Sequence, residues 1–305
     1  MKATSDEADR VPGLDPVASE RWLGRRHVAS PWLHEEVGGR MAERLQWFRE
    51  PPASWLHWEP VAGGLQTHRR LRALWPDAPC HVWARRMTEA QTATAEPAPR
   101  SWNPLRRPRD GVPPAAGADT RVGMLWANMG LHLEARPQTL IRRWHAHIQT
   151  GGFLMFSCLG PDSLRELRAV YAQQGWPLPA HAFTDMHDWG DMLVHAGFAE
   201  PVMDMERITL TFATPERLVQ ELRELGCNLH PDRFPSLRGR RWREKLYQVL
   251  SDRLADPQQG GQLALTFEII YGHAFKPAPR VRVSSSSAVS LQDMRTMLRQ
   301  GGKEN

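Results

Sequence analysis

The spacing of apolar residues along this chain changes several times, and each change predicts an element. Residues 1–15 are polar, and the stretch up to residue 50 sets Trp22, Leu23, Met41, Leu45 and Phe48 at roughly helical intervals among Arg and Glu, so residues 1–50 are expected to be an N-terminal helical region. Residues 54–58 are a short apolar run between Pro52 and Pro60, expected to be a buried first strand. Leu65, Leu71 and Leu74 then place one apolar stripe on a helix over 65–74, and residues 80–83 predict a second short strand. From 89 to 119 Pro, Ala and Gly are frequent, large aliphatics are few, and Arg106, Arg107 and Arg109 form a basic knot, which predicts a loop insertion.

Regular pattern resumes at residue 121 with an apolar run that ends at Asn128. Pro137 opens a helix whose Leu140, Trp144 and Ile148 recur at i, i+4 and i+8, and Gly151 and Gly152 are expected to end it before an apolar strand over 153–158. Asp162 is expected to cap the following helix, and a further helix over 185–196 should stop at Gly197. Later the period becomes two, first over 208–212 and again over 263–271, with two helices between: one capped by Thr214 with Pro215 at its first position, the other carrying Trp242, Leu246 and Leu250. Residues 280–305 contain a serine run and end polar, as a flexible tail would.

Helices alternate with fully apolar strands before the alternating strands appear. This order predicts an α/β fold, a Rossmann-like doubly wound, mostly parallel sheet with antiparallel closing strands. The domain plan is a helical region over 1–50, one α/β domain over 51–279 with the insertion at about 89–119, and the tail.

Three stretches carry a family resemblance. Residues 151–168 include Gly160, Pro161, Asp162, Ser163 and Leu164; residues 183–193 include Phe183, Thr184, Asp185, Met186, His187 and Asp188; residues 195–212 continue the match. They resemble the BioC family, methyltransferases of biotin synthesis that use S-adenosylmethionine (SAM) to esterify malonyl-acyl carrier protein. The resemblance implies a class I methyltransferase type of fold, SAM as cofactor, and an acyl carrier protein as substrate.

The run Asn128, Met129, Gly130, Leu131 and His132 resembles the family segment beside cofactor and substrate, which implies Asn128 at the cofactor and His132 in the pocket wall. By the same resemblance the glycine loop falls at residues 55–63. There His57 stands for an acid, Glu59 and Val61 stand for two of three glycines, and Gly63 is kept, followed by Gly64. The cofactor-side candidates are therefore Glu59, Gly63, Gly64 and Asn128. The acid expected after the second strand is replaced in the run Val82, Trp83, Ala84, Arg85 and Arg86. Candidate substrate contacts are His132, Arg165, His187 and Asp188.

Methyl transfer to a carboxylate requires alignment and desolvation more than a base, so no catalytic residue is nameable from the sequence. Two other readings stay open: a fold relative that lost SAM and serves as a scaffold, and a modifier of a protein partner resembling a complex I assembly factor. The eroded loop bears on the first, the similar Gly-Pro-Asp-Ser-Leu run on the second.

Composition narrows the classes. The chain has 305 residues with a formal charge of +5, which permits an acidic partner, nucleic acid included, but selects none. Nucleic acid is not the expected partner. Three scattered cysteines fit a reducing cytoplasm and lack metal-type spacing, and no apolar run is long enough to span a membrane. The oligomeric state has no signature.

Overall fold

The structure is a computed structural model that describes residues 11, 13–48, 50–96 and 111–278. Two helices come first, α1 (Pro16–Leu23) and α2 (Trp32–Glu43). Then follow β1 (Trp55–Trp58), a helical turn α3 (Pro60–Gly63), α4 (Leu65–Leu74), β2 (Cys80–Trp83) and α5 (Met87–Thr94). The middle of the chain forms β3 (Val122–Ala127), α6 (Pro137–His147), β4 (Ile148–Leu159), α7 (Arg165–Gln173) and α8 (Met186–His195). The last part forms β5 (Ala199–Phe212), α9 (Pro215–Leu225), α10 (Arg240–Leu254), the two-residue β6 (Ala255–Asp256) and β7 (Gln262–Phe275).

The seven strands among the described residues lie in one sheet, in the order β2-β1-β3-β4-β7-β5 with β6 paired to β7. The pairs β1–β2, β1–β3 and β3–β4 are parallel, whereas β7 runs antiparallel to both β4 and β5. The expected doubly wound sheet with antiparallel closing strands is therefore the observed one. Every residue of β1 and β3 is buried, which explains why neither strand alternates in sequence. One apolar layer joins Leu33, Val37 and Met41 of α2 to Trp126, Leu167, Leu218 and Leu246; the layer on the opposite face joins Leu125 and Phe156 to Ile141, Trp144, Trp189 and Leu193.

Four local expectations are corrected. The helix Met87–Thr94 runs six residues into the span 89–119 expected as loop. Its buried side chains are only Ala90 and Thr94, and small helix formers leave no stripe of large aliphatics to read. Downstream, Ala115 bridges Val82 in parallel, so part of the insertion extends the sheet edge; residues 97–110 and 279–305 lie outside the described residues. Gly151 and Gly152 do not stop α6, which ends at His147; they lie within β4, where the pairing with β3 shifts register and Gly151 takes φ +79. Asp162 does not cap α7. Its carboxylate takes a 2.6 Å bond from Arg207, and Leu164 fills the cap position without a side-chain bond. No helix among the described residues is long and apolar enough to cross a membrane.

One packing detail gives a direct test. Gly272 of β7 pairs with Phe156 of β4, and the Phe156 ring lies where a Cβ on residue 272 would stand. Gly272→Ala should therefore lower stability by about 1–3 kcal/mol, seen as a lower urea midpoint with an unchanged denaturant slope.

Candidate functional site

A doubly wound sheet offers its ligand crevice outside the carboxyl ends of the strands. Here those ends are Glu59 after β1, Ala84 after β2 and Asn128 after β3, with α1 and the chain after it as a cover. Trp22, Leu23, Arg25, His27, Val61 and Leu225 line the remaining space, together with the three strand ends, and that space is about 60 Å³.

The strand ends are tied to each other. Glu59 sits in the left-handed region at φ 53, and its carboxylate accepts a 2.9 Å bond from the Arg85 backbone N–H. The Arg85 guanidinium lies 3.5 Å from Glu59 and 3.1 Å from Glu134, so one cation spans two carboxylates. Burial pushes the Glu59 carboxyl above its usual range, opposed by its bonds to Arg85. Beneath this bridge the Trp58 and Trp83 rings stack at 3.8 Å between centroids, and the Arg143 guanidinium covers both at 4.9 and 4.1 Å.

Asn128 is also spent internally. Its amide N–H groups donate to the His34 carbonyl at 2.7 Å and to the Gly63 carbonyl, and its oxygen accepts from the Ser157 hydroxyl at 2.5 Å. Gly63 fits closely here, since a Cβ there would stand 3.3 Å from the Asn128 carbonyl oxygen, a tight contact. Gly64 takes φ +131 at the entrance to α4. The first amides of that helix, which suit an anionic ligand in folds of this kind, already have an anion. Glu35 of α2 accepts from Gln66 N at 2.9 Å and Thr67 N at 3.0 Å.

Below the loop lies a buried histidine pair. His57 and His68 share a 3.1 Å bond between their Nδ1 atoms, so one ring donates and the other accepts. Burial pushes His68 and His34 down to about 4, and holds His57 and His132 well below the usual histidine range. These rings are neutral near pH 7.

The other predicted contacts fall in two groups. His132 is buried in a short 3₁₀ turn, accepts from Leu159 N at 3.3 Å on Nδ1, and lines an apolar cavity next to the crevice. Leu133 and Leu225 wall both spaces. Arg165 instead faces solvent and pairs with Glu166 at 3.0 Å. His187 and Asp188 stand exposed on the first turn of α8, with His187 bonded to the capping Asp185 at 2.7 Å, and neither lines the crevice or the cavity. The sequence reading missed Glu35, Glu134 and Arg143. Arg85 alone had a signal, as a cation where the resemblance implies an acid.

Strand order and crevice define a class I methyltransferase-type protein. No family model matches the chain. It is 34% identical over 259 residues to the malonyl-[acyl-carrier protein] O-methyltransferase of Laribacter hongkongensis, covering 82% of this chain and 84% of the relative. The protein of that name from Gallionella capsiferriformans is 34% identical over 272 residues, with 86% and 90% covered. The chain belongs to the malonyl-acyl carrier protein O-methyltransferase family. Among solved structures, the YcgJ protein of Bacillus subtilis aligns at a TM-score of 0.44 and 12% identity over 80% of this chain and 99% of its own, and the fold is read from the strand order instead.

The family cofactor is SAM, and the residues present do not fit it in this conformation. Ligand pockets usually enclose about 300–1,000 Å³, and the crevice holds about 60 Å³. The polar groups that would meet the ligand, on Glu59, Asn128 and the start of α4, are bonded within the protein.

The histidines predict a pH dependence. Their folded pKa values lie below the unfolded value near 6.5, so between about 6.5 and 4 the unfolded chain binds protons that the folded chain does not. Stability should fall as pH drops through that window, by about 1.4 kcal/mol per unit for each such histidine. His68→Gln should make the slope shallower by about one histidine in urea midpoints measured from pH 7 to 4; an unchanged slope would show that His68 is not buried neutral.

Proposed function

We propose that this chain performs the reaction for which its relatives are named, methyl esterification of malonyl-acyl carrier protein, as a step of biotin synthesis in the cytoplasm. The observation that carries this reading is the 34% identity over 82% of the chain and 84% of the relative. Free Cys80, Cys158 and Cys227 accord with a reducing compartment. In this reading Glu59, Gly63, Gly64 and Asn128 border the cofactor and His132 borders the acceptor. The acceptor carboxylate is already ionised at neutral pH, so the protein's part is to align and desolvate it.

The shut crevice favours a second reading, a member of the family that binds its carrier partner without transferring a methyl group. The two separate in one assay. Purified protein with SAM and malonyl-acyl carrier protein should form the methyl ester slowly, as read by mass spectrometry. Val61→Gly with Ala84→Asp reopens the loop and returns a ribose acceptor. A charged hydrogen bond contributes about 1.5–3 kcal/mol, so that variant should need about ten- to a hundredfold less SAM for half-maximal rate. Ester formation by neither protein would overturn the enzymatic reading in favour of the second.

A further inference from the structure

The cavity beside the crevice has a chemistry of its own. It measures about 270 Å³ and lies between β4, β7 and the helices α7, α9 and α10. Leu159, Leu164, Leu167, Leu225, Leu250 and Phe267 form its walls, all buried, and none of the residues lining it is acidic or a lysine. Its one cationic lining residue, Arg223, is exposed at the edge, so a carboxylate carried past it among the leucines would be an unpaired buried charge. Two histidines line it. His181 donates from Nε2 to the His132 carbonyl at 2.9 Å, which leaves Nδ1 as an acceptor, and that buried atom has no partner among the described residues.

The cavity adjoins a groove of about 480 Å³, and Tyr171, Trp242 and Leu246 line both. The groove is bordered by five arginines and by no acidic residue. Arg233 pairs with Asp15, Arg240 with Glu244, and Arg238 lies 4.1 and 4.2 Å from the Phe234 and Trp242 ring centroids. Arg223 and Arg243 are exposed and have no carboxylate partner among the described residues.

An apolar slot that opens on unpaired cations suits an amphipathic anion. The slot's volume equals about nine water-sized groups at roughly 30 Å³ each, far more than the single methylene of a malonyl group needs. We infer that the cavity and its arginine mouth bind an aliphatic acyl chain of about eight carbons that carries an anionic head at Arg223 and Arg243. The head is a free carboxylate, or the phosphate of a thioester carrier arm whose length lies along the groove of about 480 Å³. The site stands on cavity and rim and does not rest on methyl transfer.

The test is titration of the full-length protein with octanoate, coenzyme A, butyryl-coenzyme A and octanoyl-coenzyme A, followed by tryptophan fluorescence, since Trp176 and Trp242 stand near the mouth. At least one eight-carbon ligand should bind, and octanoyl-coenzyme A should bind at least tenfold more tightly than butyryl-coenzyme A. Arg223→Glu with Arg243→Glu should weaken that binding at least tenfold, on a surface where folding is not at stake. Leu167→Trp should abolish the chain-length preference in protein whose circular dichroism is unchanged. Octanoate binding as tightly as its thioester identifies the free acid as the source, and thioester binding alone identifies a carrier arm; both support the site. Equal affinity for all chain lengths including bare coenzyme A, or no binding of any eight-carbon ligand at millimolar concentration, would overturn it. Because the length series uses unaltered protein, a misfolded Leu167→Trp does not weaken the test, and an ester assay that fails leaves it intact.

Discussion

The Arg85 guanidinium, held between Glu59 and Glu134, governs what the strand ends can accept. A cation there answers the carboxylates around it, Glu20 at 3.9 Å included, and supplies no acceptor for a ribose hydroxyl. Its backbone N–H also binds Glu59, which keeps that side chain turned across the crevice in the left-handed conformation. The stacked Trp58 and Trp83 rings beneath, with Arg143 upon them, give the bridge a firm floor. Glu35 at the start of α4 extends the same logic. A carboxylate from the protein occupies amides that would otherwise face an anionic ligand.

The acceptor side follows a different rule. Leu133 and Leu225 stand between the crevice and an apolar cavity that retains its volume. Closure on one side and openness on the other indicate separate constraints on the two halves of the site. Packing keeps the cavity, because its walls are also the core of α7, α9 and α10 against the sheet. Both kinds of side chain narrow the crevice: Trp22, Leu23, Val61 and Leu225 line it, and the polar Glu59 and Asn128 at its edge are bonded within the protein.

Much of the fold was legible. The apolar runs at β1 and β3 report burial directly, Leu71 of the predicted stripe is buried although Leu74 is exposed, and Thr214 caps the helix expected of it. What was not legible depends on contacts distant in sequence. Asp162 follows a strand and precedes a helix as a capping residue would, yet Arg207 from β5 claims its carboxylate. Gly151 and Gly152 resemble a helix stop, but β4 extends back through them by pairing with β3. In the site, the eroded loop was visible as Glu59 and Val61, whereas the partners that close it come from α2, α6 and the turn after β3. His187 and Asp188 have the composition of a site without its burial, and only the fold separates the two.

The central claim is that the protein's own side chains occupy the cofactor crevice, so that SAM is held weakly at most. Calorimetric titration of the unaltered full-length protein with SAM tests it most directly. The account predicts no binding heat at micromolar ligand, with any saturation confined to far higher concentration. A dissociation constant in the low micromolar range, about −8 kcal/mol of binding free energy, would show that the Glu59–Arg85–Glu134 bridge opens readily and would contradict the account.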